Sequence, residues 1–465
     1  MAHIWATKRA PNYEQFAQRP VPEWFKDSKL GIFVHWGAYS VPAFAELSGA
    51  LGHIDEEILH ERNPYAEWYF NTIRFPDNAA SKYHQENFGG APYDDLLDQW
   101  SAKQFNADEM IKLFARAGAR YVVPVSKHHD GITLWDAPET KGRNTVKRGP
   151  KRDIIEEFAK AAESHHIKFG VYYSTGIDWH KWPTAQPWHK GHYDKPGLDA
   201  VEYNEYAWKQ CADLIERYKP DVLWGDINWP EAGVAPGPYS VEELLKKLYG
   251  ANPEAVINDR YGDTHWDFVT VEYGLGEKPK DSQMWQSTRG KSLGLMANFP
   301  PGLPSVGFSF GYNKLETEAQ YMSGVQAIQL LVDVSSQGGN LLLNVGPDEA
   351  GNIPSLQLKC LDYMAKYMDV NADAIHDSDP VGENIARPSG KEDAEDGFVR
   401  WTRKGSRLFA FVRGDEGILD LEKGKVDLES AKLLTGERLS LKDGKVMIKE
   451  IPTDLHPICI EFALY

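Results

Sequence analysis

Asp226 stands where a short apolar run ends, in the stretch Pro220-Asp221-Val222-Leu223-Trp224-Gly225-Asp226-Ile227-Asn228-Trp229-Pro230. The run Val222-Leu223-Trp224 is too short, and too β-branched or aromatic, to propose a helix, and prolines bound the stretch on both sides. It reads as a buried strand that delivers a carboxylate to its end, with Trp224 and Trp229 as indole neighbours. Paired with a second acid about 5 Å away, such a carboxylate is equipped for retaining glycoside hydrolysis, one acid as nucleophile and the other as acid, then base. A capping role for the next helix is the competing reading. Candidates for the second acid are Glu67, Glu272 and Asp267. Glu272 lies in the β-like run Trp266-Asp267-Phe268-Val269-Thr270-Val271-Glu272-Tyr273-Gly274.

Imidazoles collect in two further places, at His35 and in Ser126-Lys127-His128-His129-Asp130-Gly131. Together they could be taken for a histidine-rich metal site. Adjacent histidines on a strand point to opposite faces, so at most one joins a given site unless the strand has ended. No His-x-x-x-His helix accompanies them, and no metal is expected. A phosphate-cradling glycine loop is absent from the sequence.

The elements that must carry these groups alternate. Strand-like runs begin near residues 121, 169, 221 and 255, with Asn106, Asp153 and residue 199 opening helical patterns ahead of the first three. That order indicates a parallel sheet. The polar and aromatic clusters fall at strand ends, and no glycine-rich dinucleotide fingerprint exists, so a (β/α)8-like, TIM-type barrel is favoured over a doubly wound sheet. Helical patterns at 316–337 and 355–370 complete it, flanking the run Gly339-Asn340-Leu341-Leu342-Leu343-Asn344-Val345-Gly346-Pro347. Residues 41–100 read as a long functional loop. After about residue 375 short strands at 399–403, 408–412, 445–450 and 458–464 alternate with glycine turns, which predicts a small β-sandwich. The expected domains are a barrel over 1–375 and a β-sandwich over 376–465.

The totals narrow the partners. A net charge of −17 argues against nucleic acid and anionic membranes. Three cysteines, far apart and odd in number, fit neither a disulfide framework nor a zinc site, and no long apolar segment or leader is apparent, so a cytoplasmic protein is expected. Fifteen tryptophans and 22 tyrosines offer flat surfaces for sugar rings.

Several motifs, in order, resemble the α-L-fucosidases of glycoside hydrolase family 29. They are Gly31-Ile32-Phe33-Val34-His35-Trp36-Gly37, Tyr65-Ala66-Glu67-Trp68-Tyr69, Lys127-His128-His129-Asp130-Gly131, Gly170-Val171-Tyr172-Tyr173-Ser174, Leu223-Trp224-Gly225-Asp226, Asn258-Asp259-Arg260, Phe310-Gly311-Tyr312-Asn313 and the run 339–347. The resemblance covers about residues 20–375. It implies a retaining exo-α-L-fucosidase without a cofactor, with Asp226 as nucleophile and Glu272 as acid/base. It further implies sugar contacts from His35, Glu67, Trp68, His128, His129, Tyr172 and Arg260, and an aromatic wall of Trp224 and Phe310 against the fucose methyl. The implied partner is a fucosylated oligosaccharide or glycoside; the linkage and the oligomeric state stay open. A hydrolase of a related sugar such as an α-L-galactoside, or an inactive carbohydrate-binding barrel, are the alternatives. Two departures from the family pattern, Gln286 and the 291–309 segment, are expected near the aglycone.

Overall fold

The computed structural model describes residues 10–48, 61–182, 185, 201–272, 278–279, 282, 284–290, 309–382, 385–386, 397–413, 426–442, 445–446 and 454–464. Eight strands form one parallel sheet: β1 (Leu30–Val34), β2 (Tyr121–Lys127), β3 (Lys168–Ser174), β4 (Val222–Asp226), β5 (Val256–Ile257), β6 (Val269–Glu272), β7 (Trp285–Arg289) and β8 (Asn340–Val345). Their spatial order is β5-β4-β3-β2-β1-β8-β7-β6. An isolated parallel bridge between Asn258 and Phe268 joins the two edges, so the sheet curls into the predicted barrel.

Side-chain parity organises the interior. Successive residues of a strand point to opposite faces. Phe33, Tyr121, Val123, Val125, Tyr172, Val222, Trp224, Val256, Phe268 and Leu342 fill the inside of the barrel, and Phe25 joins them from the helix Glu23–Ser28. Their neighbours Ile32, Val122, Val171, Leu223, Ile257 and Leu341 face outward into the larger cluster beneath the helices. Gly31, on the inward side of β1, has no room for a side chain: a Cβ there would lie 2.3 Å from the Tyr121 ring. The helices Ala107–Arg116, Ile154–Ser164, Val201–Tyr218, Val241–Ala251, Gly324–Ser336 and Ser355–Ile375 form the outer layer. Asn106, Asp153, Ser240 and Ser323 cap four of them by accepting a backbone N–H three residues on.

Two expectations are corrected. The segment 41–100 is not a plain loop: it holds the short helices Ala66–Trp68, Tyr69–Thr72, Ala79–Phe88 and Asp94–Gln99, the third capped by Asn78. The helical pattern drawn at 316–337 starts at Gly324, because the Ser323–Gln326 capping box begins the helix there. The 291–308 part of the segment expected near the aglycone lies outside the described residues.

Beyond the last barrel helix a five-stranded antiparallel sheet has the order β12-β15-β11-β10-β9. It comprises β9 (Asp379–Pro380), β10 (Phe398–Lys404), β11 (Arg407–Arg413), β12 (Val426–Leu433) and β15 (Ile458–Leu464), with β13 (Leu441–Lys442) and β14 (Lys445–Val446) as a separate ribbon. β12 was not foreseen, since its charged run Asp427-Leu428-Glu429-Ser430 hides the alternation. Phe409 and Phe411 face the barrel cluster, whereas Leu408, Ala410 and Val412 join the second layer with Val446. Between sheet and barrel, the buried Arg400 guanidinium pairs with the buried Asp333 carboxylate of the helix Gly324–Ser336. Arg400→Leu removes that guanidinium from a buried carboxylate and is expected to destabilise the protein by about 3–5 kcal/mol. Arg400→Leu combined with Asp333→Leu should recover most of that loss in denaturant titrations.

Candidate active site

The inward positions above the apolar layer are polar, and they lie at the carboxyl ends of the strands. Asp226 is the next inward residue after Trp224 on β4, as Ser174 is after Tyr172 on β3, Asn344 after Leu342 on β8, and Glu272 after Thr270 on β6. His35 follows the end of β1 by one residue. The strand β2 departs from the rule. Its register against β3 shifts between Val125 and Lys127, which turns Lys127 away to Asp178 and Tyr203, both 3.3 Å from its Nζ. The strand ends at Lys127, so His128 and His129 are released from alternation and both reach the site.

Asp226 is held by its backbone as firmly as by its side chain. The Thr175 and Gly176 N–H groups donate to its carbonyl at 3.0 and 3.2 Å, and the Asn258 side chain pairs with both the N–H and the C=O of Gly225. Gly176 must be glycine, since a Cβ there would lie 1.8 Å from the Ile227 carbonyl oxygen. Ile227 and Asn228 both adopt positive φ, 58° and 47°, a sharp exit that ends the strand at the carboxylate. Trp229 does not neighbour Asp226; past this turn its indole stacks on Tyr261 and donates to Asn204.

Tyr172 donates its hydroxyl to Asp226 Oδ2 at 2.7 Å. Arg260 bridges the two leading acids: Nη1 donates to Asp226 Oδ1 at 2.5 Å and Nη2 to Glu272 Oε2 at 2.5 Å. Its Nε points at Thr270 Oγ1, whose own proton goes to Asp259. The guanidinium also lies over the Trp224 ring, 4.6 Å from the centroid. Burial would raise the Asp226 pKa, but Arg260, His129 and the Tyr172 hydrogen bond outweigh it and hold the carboxyl below its ordinary range.

Burial works against protonation of two imidazoles: it lowers His129 to about 4 against the pull of Asp226, and holds His128 well below its ordinary value, with His129 and His35 adding to the effect. Ser174 donates its hydroxyl to the Ile177 carbonyl, so it accepts from His129 Nδ1 at 2.6 Å. His129 Nε2 is therefore an acceptor, 3.6 Å from Asp226 Oδ2. His128 stacks on Tyr172, with centroids 5.4 Å apart and an interplanar angle of 10°. Trp68 meets His129 edge-on at 5.6 Å.

Glu67 is fully buried and committed to a turn: the Phe310 and Gly311 N–H groups donate to its two oxygens at 3.2 and 2.8 Å, and the Ser309 hydroxyl lies 3.1 Å away. Desolvation raises its pKa, with those donors opposing. Phe310 packs against His35 at 4.8 Å, and Phe33 links it to Trp224, at 6.4 and 5.0 Å respectively. Phe33 thus belongs to the aromatic wall, although only its place in the first motif hinted at this.

The fold therefore gathers Asp226, Glu272, His35, Glu67, Trp68, His128, His129, Tyr172, Trp224, Arg260 and Phe310 at one end of the barrel. Asp267 is excluded. It precedes β6, at the opposite end from Glu272, and is consumed by Arg19, Tyr249, His265 and the Ile257 N–H. Gln286 is also displaced from its expected position near the aglycone. It is an inward residue of β7, fully buried, accepting from the Trp224 indole at 2.9 Å and donating to the Tyr121 hydroxyl at 2.7 Å. Asn344, Ser174 and Thr270 were missed as supports; a lone polar residue at an inward position of an apolar strand was the available signal.

Comparison with known proteins agrees with this geometry. The family model described as Alpha-L-fucosidase matches residues 2–373. An alpha-L-fucosidase of Dictyostelium discoideum is 29% identical over 388 residues, covering 81% of this chain and 76% of that protein. Tissue alpha-L-fucosidase of Mus musculus is 29% identical over 439 residues, covering 93% and 85%. Among solved structures, an alpha-L-fucosynthase of Thermotoga maritima is 37% identical with a TM-score of 0.82, covering 98% of this chain and 99% of that one. The Thermotoga maritima alpha-fucosidase in complex with fucose is 36% identical with a TM-score of 0.80, covering 98% and 100%. With a match over most of its length and a barrel whose acids, imidazoles and aromatics converge on one pocket, the chain belongs to the alpha-L-fucosidase family.

Proposed function

We propose that the protein hydrolyses terminal α-L-fucosides with retention, through a covalent fucosyl-enzyme on Asp226, with Glu272 as acid/base. The observation that carries this reading is Arg260. A single guanidinium grips both carboxylates and holds them side by side, and a closely spaced pair, about 5 Å apart, is what a nucleophile and its acid/base need, against the about 6.5–9.5 Å that leaves room for an attacking water. Asp226 is ionised and aimed by Tyr172 and Arg260, as a nucleophile must be.

Glu272, the second partner of Arg260, gives a proton to the leaving oxygen in the first step and takes one from water in the second, as the paired acid of a retaining site does. Neutral imidazoles that present Nε2 as acceptor suit uncharged sugar hydroxyls, and the Phe33, Trp224 and Phe310 rings suit a C6 methyl. We also infer a reducing compartment, which the unpaired Cys211, Cys360 and Cys459 support.

Asp226→Gly should lower turnover of an aryl α-L-fucoside by several orders of magnitude, and azide should restore part of it as a β-fucosyl azide. Near-normal rates in that variant would refute the nucleophile assignment. For Glu272→Ala, the loss should reach about 10²–10⁴-fold on substrates with poor leaving groups and be small on nitrophenyl fucosides. Equal losses across a leaving-group series would move the role to another acid. Packing of C6 on the aromatic wall predicts a roughly ten- to hundredfold kcat/KM preference for the fucoside over the α-L-galactoside, whose extra hydroxyl finds no partner there. Phe310→Ala should bring that ratio towards one.

A further inference from the structure

Asn344 touches both halves of the recognition surface through one planar amide. It is 1% exposed at the inward position above Leu342 on β8. Its Nδ2 lies 2.7 Å from the Phe310 carbonyl oxygen and its Oδ1 lies 2.7 Å from His35 Nδ1. The proton assignments follow without freedom. A carbonyl oxygen can only accept, so the NH₂ end of Asn344 faces Phe310 and the oxygen faces His35. His35 Nδ1 must then carry hydrogen, and in the neutral ring Nε2 is left as an acceptor.

The Phe310 turn is thus suspended from two sides. Glu67 holds the N–H groups of Phe310 and Gly311, and Asn344 holds the Phe310 carbonyl. His35 packs on the Phe310 ring at 4.8 Å, so a shift of the turn displaces both the apolar wall and the imidazole.

We propose that Asn344 is a specificity-determining positioning residue, which locks the His35 tautomer and the Phe310 turn together so that a sugar hydroxyl and the C6 substituent are read as one unit. This rests on the fucoside reading above. It adds a residue that need not touch the substrate to those that do.

The test compares kcat/KM for aryl α-L-fucoside and α-L-galactoside in wild type, Phe310→Ala, Asn344→Asp, Asn344→Leu and Asn344→Leu combined with Phe310→Ala. Asn344→Asp is isosteric and keeps an acceptor for His35 but loses the donor to Phe310, and it serves alone if Asn344→Leu does not fold. In each Asn344 variant the fucoside preference should drop roughly three- to tenfold, the scale of one lost hydrogen bond. The double variant should discriminate no worse than Phe310→Ala alone, since both changes act through the same turn. An unchanged preference in a folded Asn344 variant, or additive losses in the double variant, would overturn the proposal.

A second readout does not depend on turnover. In ¹⁵N-histidine spectra, assigned with a His35→Gln control, wild type and Asn344→Asp should show His35 protonated at Nδ1, and Asn344→Leu should lose that bias. A wild-type His35 protonated at Nε2 alone overturns the coupling. A wild type that hydrolyses neither glycoside but shows the Nδ1–H ring refutes the fucoside reading while upholding the Asn344–His35 lock.

Discussion

One buried cation shared by two carboxylates is the interaction on which the site depends. Arg260 is 2% exposed, and removing such a charge from water is costly unless partners surround it. Asp226 and Glu272 supply the countercharge, Thr270 takes Nε, and Trp224 offers its π face. Without the guanidinium, two neighbouring carboxylates would repel, and one would hold its proton too tightly to remain a nucleophile. The strands impose this meeting. β4 carries Asp226, β6 carries Glu272, and Arg260 lies on the segment that closes the barrel between β5 and β6.

Around that ion cluster the pocket is built from neutral groups with enforced proton positions. His129 is oriented by Ser174 and His35 by Asn344, and each presents Nε2 without a hydrogen in the neutral ring. Burial opposes protonation of His128 and His129, which leaves Arg260 as the leading partner of Asp226. The division of labour is physical: a single strong cation organises the acids, and uncharged acceptors are left for hydroxyl groups.

Beneath lies a layer that is mostly apolar, into which Gln286 brings a side-chain amide. Gln286 spans from the Trp224 indole to the Tyr121 hydroxyl, and an aliphatic side chain there would take this acceptor from the buried indole N–H. It stiffens the floor on which Tyr172 and Arg260 rest, since Trp224 stacks with Tyr172 at 5.6 Å and underlies the guanidinium. Its effect on the site is therefore exerted from inside the barrel rather than at the aglycone.

Much of this was legible in the chain. The β-branched and aromatic runs marked β1 to β4, and the run ending at Asp226 was read as a strand that delivers a carboxylate with Trp224 beside it. Motif order singled out the same acids and imidazoles that the barrel gathers. Parity could not foresee the register shift in β2, because a bulge answers to the partner strand rather than to local composition. Nor could it tell Asp267 from Glu272, two acids on one run separated only by which end of the barrel each meets. The charged β12 escaped notice for a related reason: its identity as a strand comes from pairing with β15, not from its own pattern. Residue types and their spacing therefore determined the elements and the chemical inventory, both set by short-range sterics and alternation. Tertiary structure alone decided that Arg260 lies between Asp226 and Glu272 and that Asn344 joins His35 to Phe310, because those contacts close only when strands distant in sequence curl into one barrel.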